Sequence, residues 1–85
     1  MAKFIAIHAV EDVARWKSFD AERTIAFALF ATDVTSYTDP NGGNTVALTV
    51  NVHDVAGMQA FMQTPAAAAI MEKHGVLQPV TFLTA

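Results

Sequence analysis

The sequence contains no cysteine, so disulfide bonds and cysteine nucleophiles are excluded. Charged residues are also scarce, since Asp, Glu, Lys and Arg make up 15% of the chain, against about 25% in an average domain. Acidic residues outnumber basic ones by 8 to 5, so the chain has no basic stripe for nucleic acid. The absence of cysteine is consistent with a cytoplasmic protein, which is the location we expect.

Long hydrophobic runs are missing as well. The longest apolar stretch, "IAFALFA" at 25–31, is far shorter than the ~20 residues that cross a bilayer. The first ten residues, "MAKFIAIHAV", include a short apolar run but no cleavage site of a signal peptide. We therefore expect no membrane partner.

Hydrophobic residues are in excess and make up 53% of the 85 residues. This length suffices for one small domain, which we assign to residues 1–85. The core of such a domain is thin, because a chain of this size buries roughly 60–70% of its unfolded surface. Part of the apolar surface is then expected to be covered by a partner. A second copy of the chain is the simplest such partner, so the composition predicts a homodimer.

A ten-residue pattern occurs twice. "VEDVARWKSF" at 10–19 and "VHDVAGMQAF" at 52–61 agree at five of ten positions. Each segment follows a run typical of a strand, "FIAIHAV" or "TVALTVNV". Asp12 and Asp54 hold the same place in both, directly before a helical pattern, where a carboxylate caps a helix. A strand–aspartate–helix unit thus occurs twice, either through duplication or because the same physical requirements produce it.

The only tryptophan, Trp16, lies between Arg15 and Lys17, which suggests either a stacking platform or a core anchor. After Asp12, one set of side chains recurs every three or four residues and forms one helical face. Its members are Val13, Trp16, Phe19, Arg23, Phe27 and Phe30. On such a helix Arg15 and Lys17 point about 100° to either side of Trp16. The pattern favours a core anchor, with the wall of a ligand pocket as the alternative.

The remaining segments complete the fold prediction. A later helix begins at "TPAAAAIMEKHG", where Thr64 suits the N-cap, Pro65 the first helical position and the final glycine the stop. Strands are predicted at 33–39 and 44–52 around the turn "PNGG", and at 79–85. The order β-α-β-β-α-β predicts a ferredoxin-like α+β sandwich, a four-stranded antiparallel sheet with helices on one face.

This pattern resembles the dimeric α+β barrel superfamily that includes the antibiotic-biosynthesis monooxygenases. The resemblance covers nearly the whole chain and rests on the order and spacing of "VEDVARWKSFD", "YTDPNGG", "VHDVAGMQAFMQTP" and "HGV" followed by "PVTFL". It implies that two sheets pair into a barrel with the helices outside, and that a ligand lies between helices and sheet. Because the superfamily includes many activities, the fold alone does not define the function.

Two chemistries of this superfamily can be compared residue by residue. Its polyketide cyclases carry a histidine two residues after the proline of the second helix, where this chain has Ala67, whereas their first-strand histidine corresponds to His8. Its haem-degrading members use a first-strand asparagine and a tryptophan after the hairpin, and this chain has neither. Only His74 loosely matches their helix histidine. We therefore expect no cofactor and retain a cyclase-like enzyme as an alternative.

His8 is the candidate catalytic residue, because a strand would hold it rigidly in a largely apolar setting. It could polarise a carbonyl or phenol or move a proton. The alternative is a buried histidine that is hydrogen-bonded within the core or at an interface. Arg23 interrupts an apolar face and needs a partner, which could be Asp20, a carbonyl of a second subunit or an anionic ligand.

The other candidate ligand-binding residues are Trp16, Tyr37 and His74. Tyr37 combines an apolar ring with a polar tip, although a core position is the default. His74 falls in a last helical turn, where a cation would interact favourably with the helix dipole, and His53 is expected to be exposed. The histidine spacing does not fit a metal site, so none is predicted.

Two functions follow from these residues. The first is a homodimer that binds a small apolar or aromatic molecule, with cofactor-independent monooxygenase-like chemistry. The second is a non-catalytic dimeric module that senses a ligand or acts as a scaffold. A cavity of several hundred Å³ lined by His8, Tyr37 and Arg23 would favour the first function, and a packed interior would favour the second.

Overall fold

The computed structural model describes residues 2–85. Within this range the chain forms four strands and four short helices. In chain order they are β1 (Ala2–Val10), α1 (Val13–Ser18), α2 (Asp20–Phe27), β2 (Ala31–Thr38), β3 (Thr45–Val52), α3 (Val55–Met62), α4 (Pro65–Lys73) and β4 (Val76–Thr84). None of the helices in residues 2–85 is both long and apolar enough to span a membrane.

The strands form one antiparallel sheet in the order β2-β3-β1-β4. β1 is central, with His8 opposite Val46 of β3 and Val10 opposite Val76 of β4. Since strand residues alternate between faces, one face carries the side chains that pack under the helices. The predicted ferredoxin-like fold is confirmed.

The opposite side of the sheet, which we call the open face, carries no helix from residues 2–85. By the pairing register its central apolar members are Ile5, Ile7, Ala9, Ala47, Leu77 and Leu83. Leu77 is 37% exposed and Leu83 50% exposed, and both lie on the edge strand β4. The high content of hydrophobic residues predicts such an apolar surface on a single chain.

The core between helices and sheet consists of two clusters. One is centred on Val50, Val52 and Met58, and the other on Val10, Trp16 and Val46. Trp16 is 1% exposed, which confirms the prediction of a core anchor.

Side-chain caps begin three of the helices as predicted. The side chains of Asp12, Asp54 and Thr64 each accept a hydrogen bond from the backbone N–H three residues later, at 3.1, 2.9 and 3.2 Å. These bonds satisfy donors that have no partner within the helix. Pro65 occupies the first turn of α4, where its missing N–H has no cost.

The first helical segment differs from the prediction of one continuous stripe. It breaks at Phe19 into α1 and α2, and α2 ends at Phe27, so Phe30 lies in the turn before β2. The Ser18 hydroxyl donates to the carbonyl three residues earlier at 2.6 Å, a bond that bends helices. The Phe19 ring stacks on His74, with centroids 4.5 Å apart and planes 7° from parallel. Packing against α4 therefore accompanies the break.

Strand boundaries also differ from the prediction. β2 begins at Ala31 and passes through an irregularity where Asp33 has φ +56°. β4 begins at Val76, three residues before the predicted start at Pro79. The "PNGG" turn joins β2 to β3 as predicted, and Gly42 has φ +81°, a conformation that glycine adopts without strain.

Candidate functional site

A cavity of about 90 Å³ lies between the helices and the sheet. Most of its lining is apolar and includes Phe4, Ala6, Phe27, Met58, Met62 and Ile70. Three polar side chains complete the wall, namely His8, Arg23 and His74. The cavity is smaller than the roughly 300–1,000 Å³ of drug-sized sites, so it suits a small molecule.

The cavity brings together four of the five predicted site residues: His8, Trp16, Arg23 and His74. They come from β1, α1, α2 and the end of α4. The structure separates Tyr37 from them. Tyr37 pairs with Ala47, lies on the open face and is 51% exposed. The physical reason is strand alternation, since the preceding Ser36 faces the helices.

Arg23 is 4% exposed, and two of its nitrogens are engaged. Nη2 donates to Asp20 Oδ1, the partner predicted one turn earlier on the helix. Nη1 donates to His74 Nδ1 at 3.2 Å, and Cζ lies 4.1 Å from the centroid of the Trp16 ring. The remaining nitrogen, Nε, is buried and has no hydrogen-bond partner. Burial lowers the pKa of Arg23, and Asp20 counteracts this effect. The guanidinium stays charged.

His74 is 1% exposed and caps the C-terminus of α4. Because a guanidinium only donates, His74 Nδ1 accepts and the hydrogen of the neutral ring is on Nε2. Nε2 lies 3.6 Å from Glu22 Oε2, beyond hydrogen-bond length. Burial, followed by the charge of Arg23, lowers the pKa of His74. His74 is therefore neutral near pH 7, which differs from the expectation of a cation at the helix end.

Charged groups surround this pair on the solvent side. Lys73 Nζ lies 3.1 Å from Glu22 Oε2, and this hydrogen bond lowers the pKa of Glu22. Asp20 accepts a hydrogen bond from Ser36 at 2.8 Å and lies 3.8 Å from Lys17 Nζ. Three cations, Lys17, Arg23 and Lys73, thus meet two carboxylates, Asp20 and Glu22. The surroundings carry a surplus of positive charge.

His8 lies on the other side of Trp16. Its Nδ1 is 3.0 Å from the carbonyl oxygen of Ala9, so Nδ1 donates. In the neutral ring this leaves Nε2 as the acceptor. The His8 and Trp16 rings meet edge to face, with centroids 6.0 Å apart. The cavity wall thus contains a base held by a strand, His8, and a fixed guanidinium, that of Arg23. This arrangement can bind a ligand and transfer a proton.

The sequence reasoning missed Glu22 and Lys73 as neighbours of the site. The Arg23–His74 and Glu22–Lys73 contacts each join residues 51 positions apart, so no local spacing could have revealed them. His53 is exposed, as expected. Within residues 2–85 no group of three His, Asp or Glu side chains could hold a metal ion.

Neither a protein-family model nor a curated protein sequence matches the chain. Solved structures do match it. The cofactor-independent oxygenase SnoaB from Streptomyces nogalater has a TM-score of 0.69 at 16% identity, covering 99% of this chain and 91% of its own. An antibiotic biosynthesis monooxygenase has a TM-score of 0.66 at 11% identity, with coverage of 100% and 96%. A conserved protein from Methanosarcina mazei Go1 has a TM-score of 0.65 at 11% identity, with coverage of 99% and 89%. The chain therefore has the ferredoxin-like fold of antibiotic biosynthesis monooxygenase-like proteins, which confirms the resemblance noted in the sequence at the level of fold.

Proposed function

We propose that this protein binds a small apolar or aromatic molecule in the cavity between its helices and sheet. The observation that carries the proposal is the cavity itself, which is largely apolar and has three polar side chains in its wall. Ligand sites typically combine apolar walls with a few fixed polar groups. The volume of about 90 Å³ limits the buried part of the ligand to about one ring.

The same proposal includes a homodimer formed through the open face. Its support is the row of apolar side chains on β1 and the edge strand β4, among them Ile5, Ile7 and Leu83. Burying such a surface against its copy removes apolar area from water without using the cavity face. The ligand would then bind on the helix side of each sheet.

Cofactor-independent oxygenation is the chemistry we propose for a bound phenol. SnoaB, which shares the fold, is a cofactor-independent oxygenase. In such a reaction a phenol and O₂ yield a quinone and water, with one oxygen atom entering the ring and the other leaving as water. His8 would remove the phenol proton, since its Nε2 is free to accept. We prefer this chemistry to that of a cyclase, because Ala67 at the cyclase histidine position is a buried alanine.

Binding can be tested through Trp16, the only tryptophan and part of the cavity wall. Titration with single-ring aromatics is expected to change its fluorescence in a saturable way. Ala6→Leu, which fills the cavity, should weaken binding at least tenfold. Ala56→Leu adds the same volume at an exposed site on α3 and should leave binding unchanged. Equal binding by both variants would place the ligand elsewhere and overturn the proposal.

Catalysis is tested by O₂ consumption with a panel of one- and two-ring phenols. O₂ consumption that requires the protein and is lost in His8→Gln would support the proposed oxygenase activity. The non-catalytic module is favoured instead if His8→Gln binds ligand as the parent does and neither protein consumes O₂. The small volume of the cavity is the observation that keeps the module as the second candidate.

A further inference from the structure

We infer that the ligand of this cavity is an aromatic oxyanion, a carboxylate or phenolate on a single ring, and that Arg23 binds its oxygen through the Nε–H group. The inference rests on the proposed binding function and specifies the ligand class. Three observations carry it, and each concerns a different property of the site.

The first observation is an unused donor. Arg23 lines the cavity, and its Nη1 and Nη2 nitrogens are occupied by His74 and Asp20. Nε is buried and has no partner. Buried polar groups are almost always hydrogen-bonded, and a cationic donor is especially costly to leave unpaired. An acceptor oxygen on the ligand would satisfy it.

The second observation is the charge balance. Lys17, Arg23 and Lys73 are balanced by only Asp20 and Glu22, and His74 is neutral. These five charged groups therefore carry one more positive than negative charge beside a largely apolar cavity. Electrostatic attraction is strong where little water screens it. An anion would be attracted, whereas a cation would be repelled.

The third observation is rigidity. Asp20 holds one end of the guanidinium, His74 the other, and the Trp16 ring supports its face. A donor fixed in this way loses little conformational freedom when a ligand binds. Because Nε carries a single N–H, it fits one oxygen atom of the ligand. The cavity of about 90 Å³ then accommodates the attached ring.

The experiment compares matched ligands on the intact protein. Benzoate is paired with benzamide, and 4-nitrophenolate with nitrobenzene, so that each anion has a neutral counterpart of similar shape. We expect at least one anion to bind ten times more tightly than its neutral counterpart. The pair with the larger difference in affinity shows whether the site prefers a carboxylate or a phenolate. Arg23→Lys keeps the charge but removes Nε–H, and should abolish the preference. Lys3→Gln removes an exposed cation on β1 that is not part of this charge set, and should retain the preference.

The arginine side-chain resonances provide a readout that needs no variant at Arg23. The chain has two arginines, and Arg15 Nε already donates to the Lys73 carbonyl at 3.0 Å. The preferred anion should shift the Nε–H signal of Arg23 and leave that of Arg15 in place. An unmoved Arg23 signal, or equal affinity for anions and neutral counterparts, would overturn the inference while the binding proposal stands. No binding of any of the four compounds would overturn the binding proposal itself.

Discussion

The guanidinium of Arg23 lies over the indole of Trp16, with Cζ 4.1 Å from the ring centroid. Trp16 is therefore both a core anchor and the support of a cation. The cation that lies over the Trp16 ring does not come from either of the residues next to it in the sequence. Arg15 turns away to α4, and Lys17 is exposed. The two alternatives raised by the sequence are thus compatible, because the stacking partner comes from the next helix.

Replacing Trp16 by alanine should lower the free energy of unfolding by on the order of 3–5 kcal/mol, the usual cost of removing a large core aromatic. The change leaves a void beside His8 and removes the support of Arg23. Urea unfolding followed by circular dichroism measures the loss. A decrease below about 1 kcal/mol would mean that the packing around Trp16 contributes little to stability.

Arg15 connects α1 to the C-terminal end of α4. Its Nε and Nη2 donate to the carbonyl of Lys73 at 3.0 and 2.8 Å, and Nη2 also donates to Glu72 O at 2.9 Å. The Glu72 carbonyl also accepts from the Gly75 N–H at 3.0 Å. A cation at this position suits the negative end of the helix dipole. Arg15→Ala should therefore lower the free energy of unfolding by about 1–2 kcal/mol. Lys17→Ala is the control and should cost less than about 0.5 kcal/mol, since its contact with Asp20 is long and exposed.

The parts of this structure that local chemistry determines could be predicted from the sequence. Asp12 and Asp54 cap helices because their position before an apolar stripe leaves no better acceptor for the first N–H groups. The order of strands and helices along the chain and the turn at Gly42 follow in the same way. Burial of Trp16 follows from helical periodicity.

The composition of the site could be predicted only in part. His8 and Arg23 stand out because each is polar in an apolar pattern. The contact between Arg23 and His74 depends on how the two halves pack, which periodicity does not specify. The residue type of Tyr37 suggests a pocket position, but the face on which a strand residue lies depends on the register with the neighbouring strand.

The proposed dimer predicts a mass of twice 9.1 kDa by light scattering at micromolar concentration. Ile7→Lys places a charge at the centre of the open face and should give a monomer, because burying an unpaired charge is costly. Ile25→Lys makes the same change at a residue of α2 that is 76% exposed, and should remain dimeric. A parent protein with the mass of one chain would contradict the dimer.

Stability should fall as the pH is lowered from about 7.5 to about 5, and His74 should account for part of this slope. Burial and Arg23 lower the pKa of His74 in the folded chain below its ordinary value of 6.5. Between the two pKa values the unfolded chain binds a proton that the folded chain does not, so acid favours unfolding. Glu22 acts in the same direction at lower pH. Lys73 lowers its pKa below 4.5, and the contribution present above that value is lost as the pH falls through the folded pKa.

His74→Gln removes the titrating group while keeping a side chain that can accept from Arg23, so its unfolding free energy should depend less on pH than that of the parent. His53→Gln is the matched control, since His53 is exposed in the turn after β3 and should leave the slope unchanged. Urea unfolding of the three proteins across this pH range measures the slopes. Equal slopes in the parent and His74→Gln would mean that folding does not change the pKa of His74, which would contradict the lowered pKa of the buried ring.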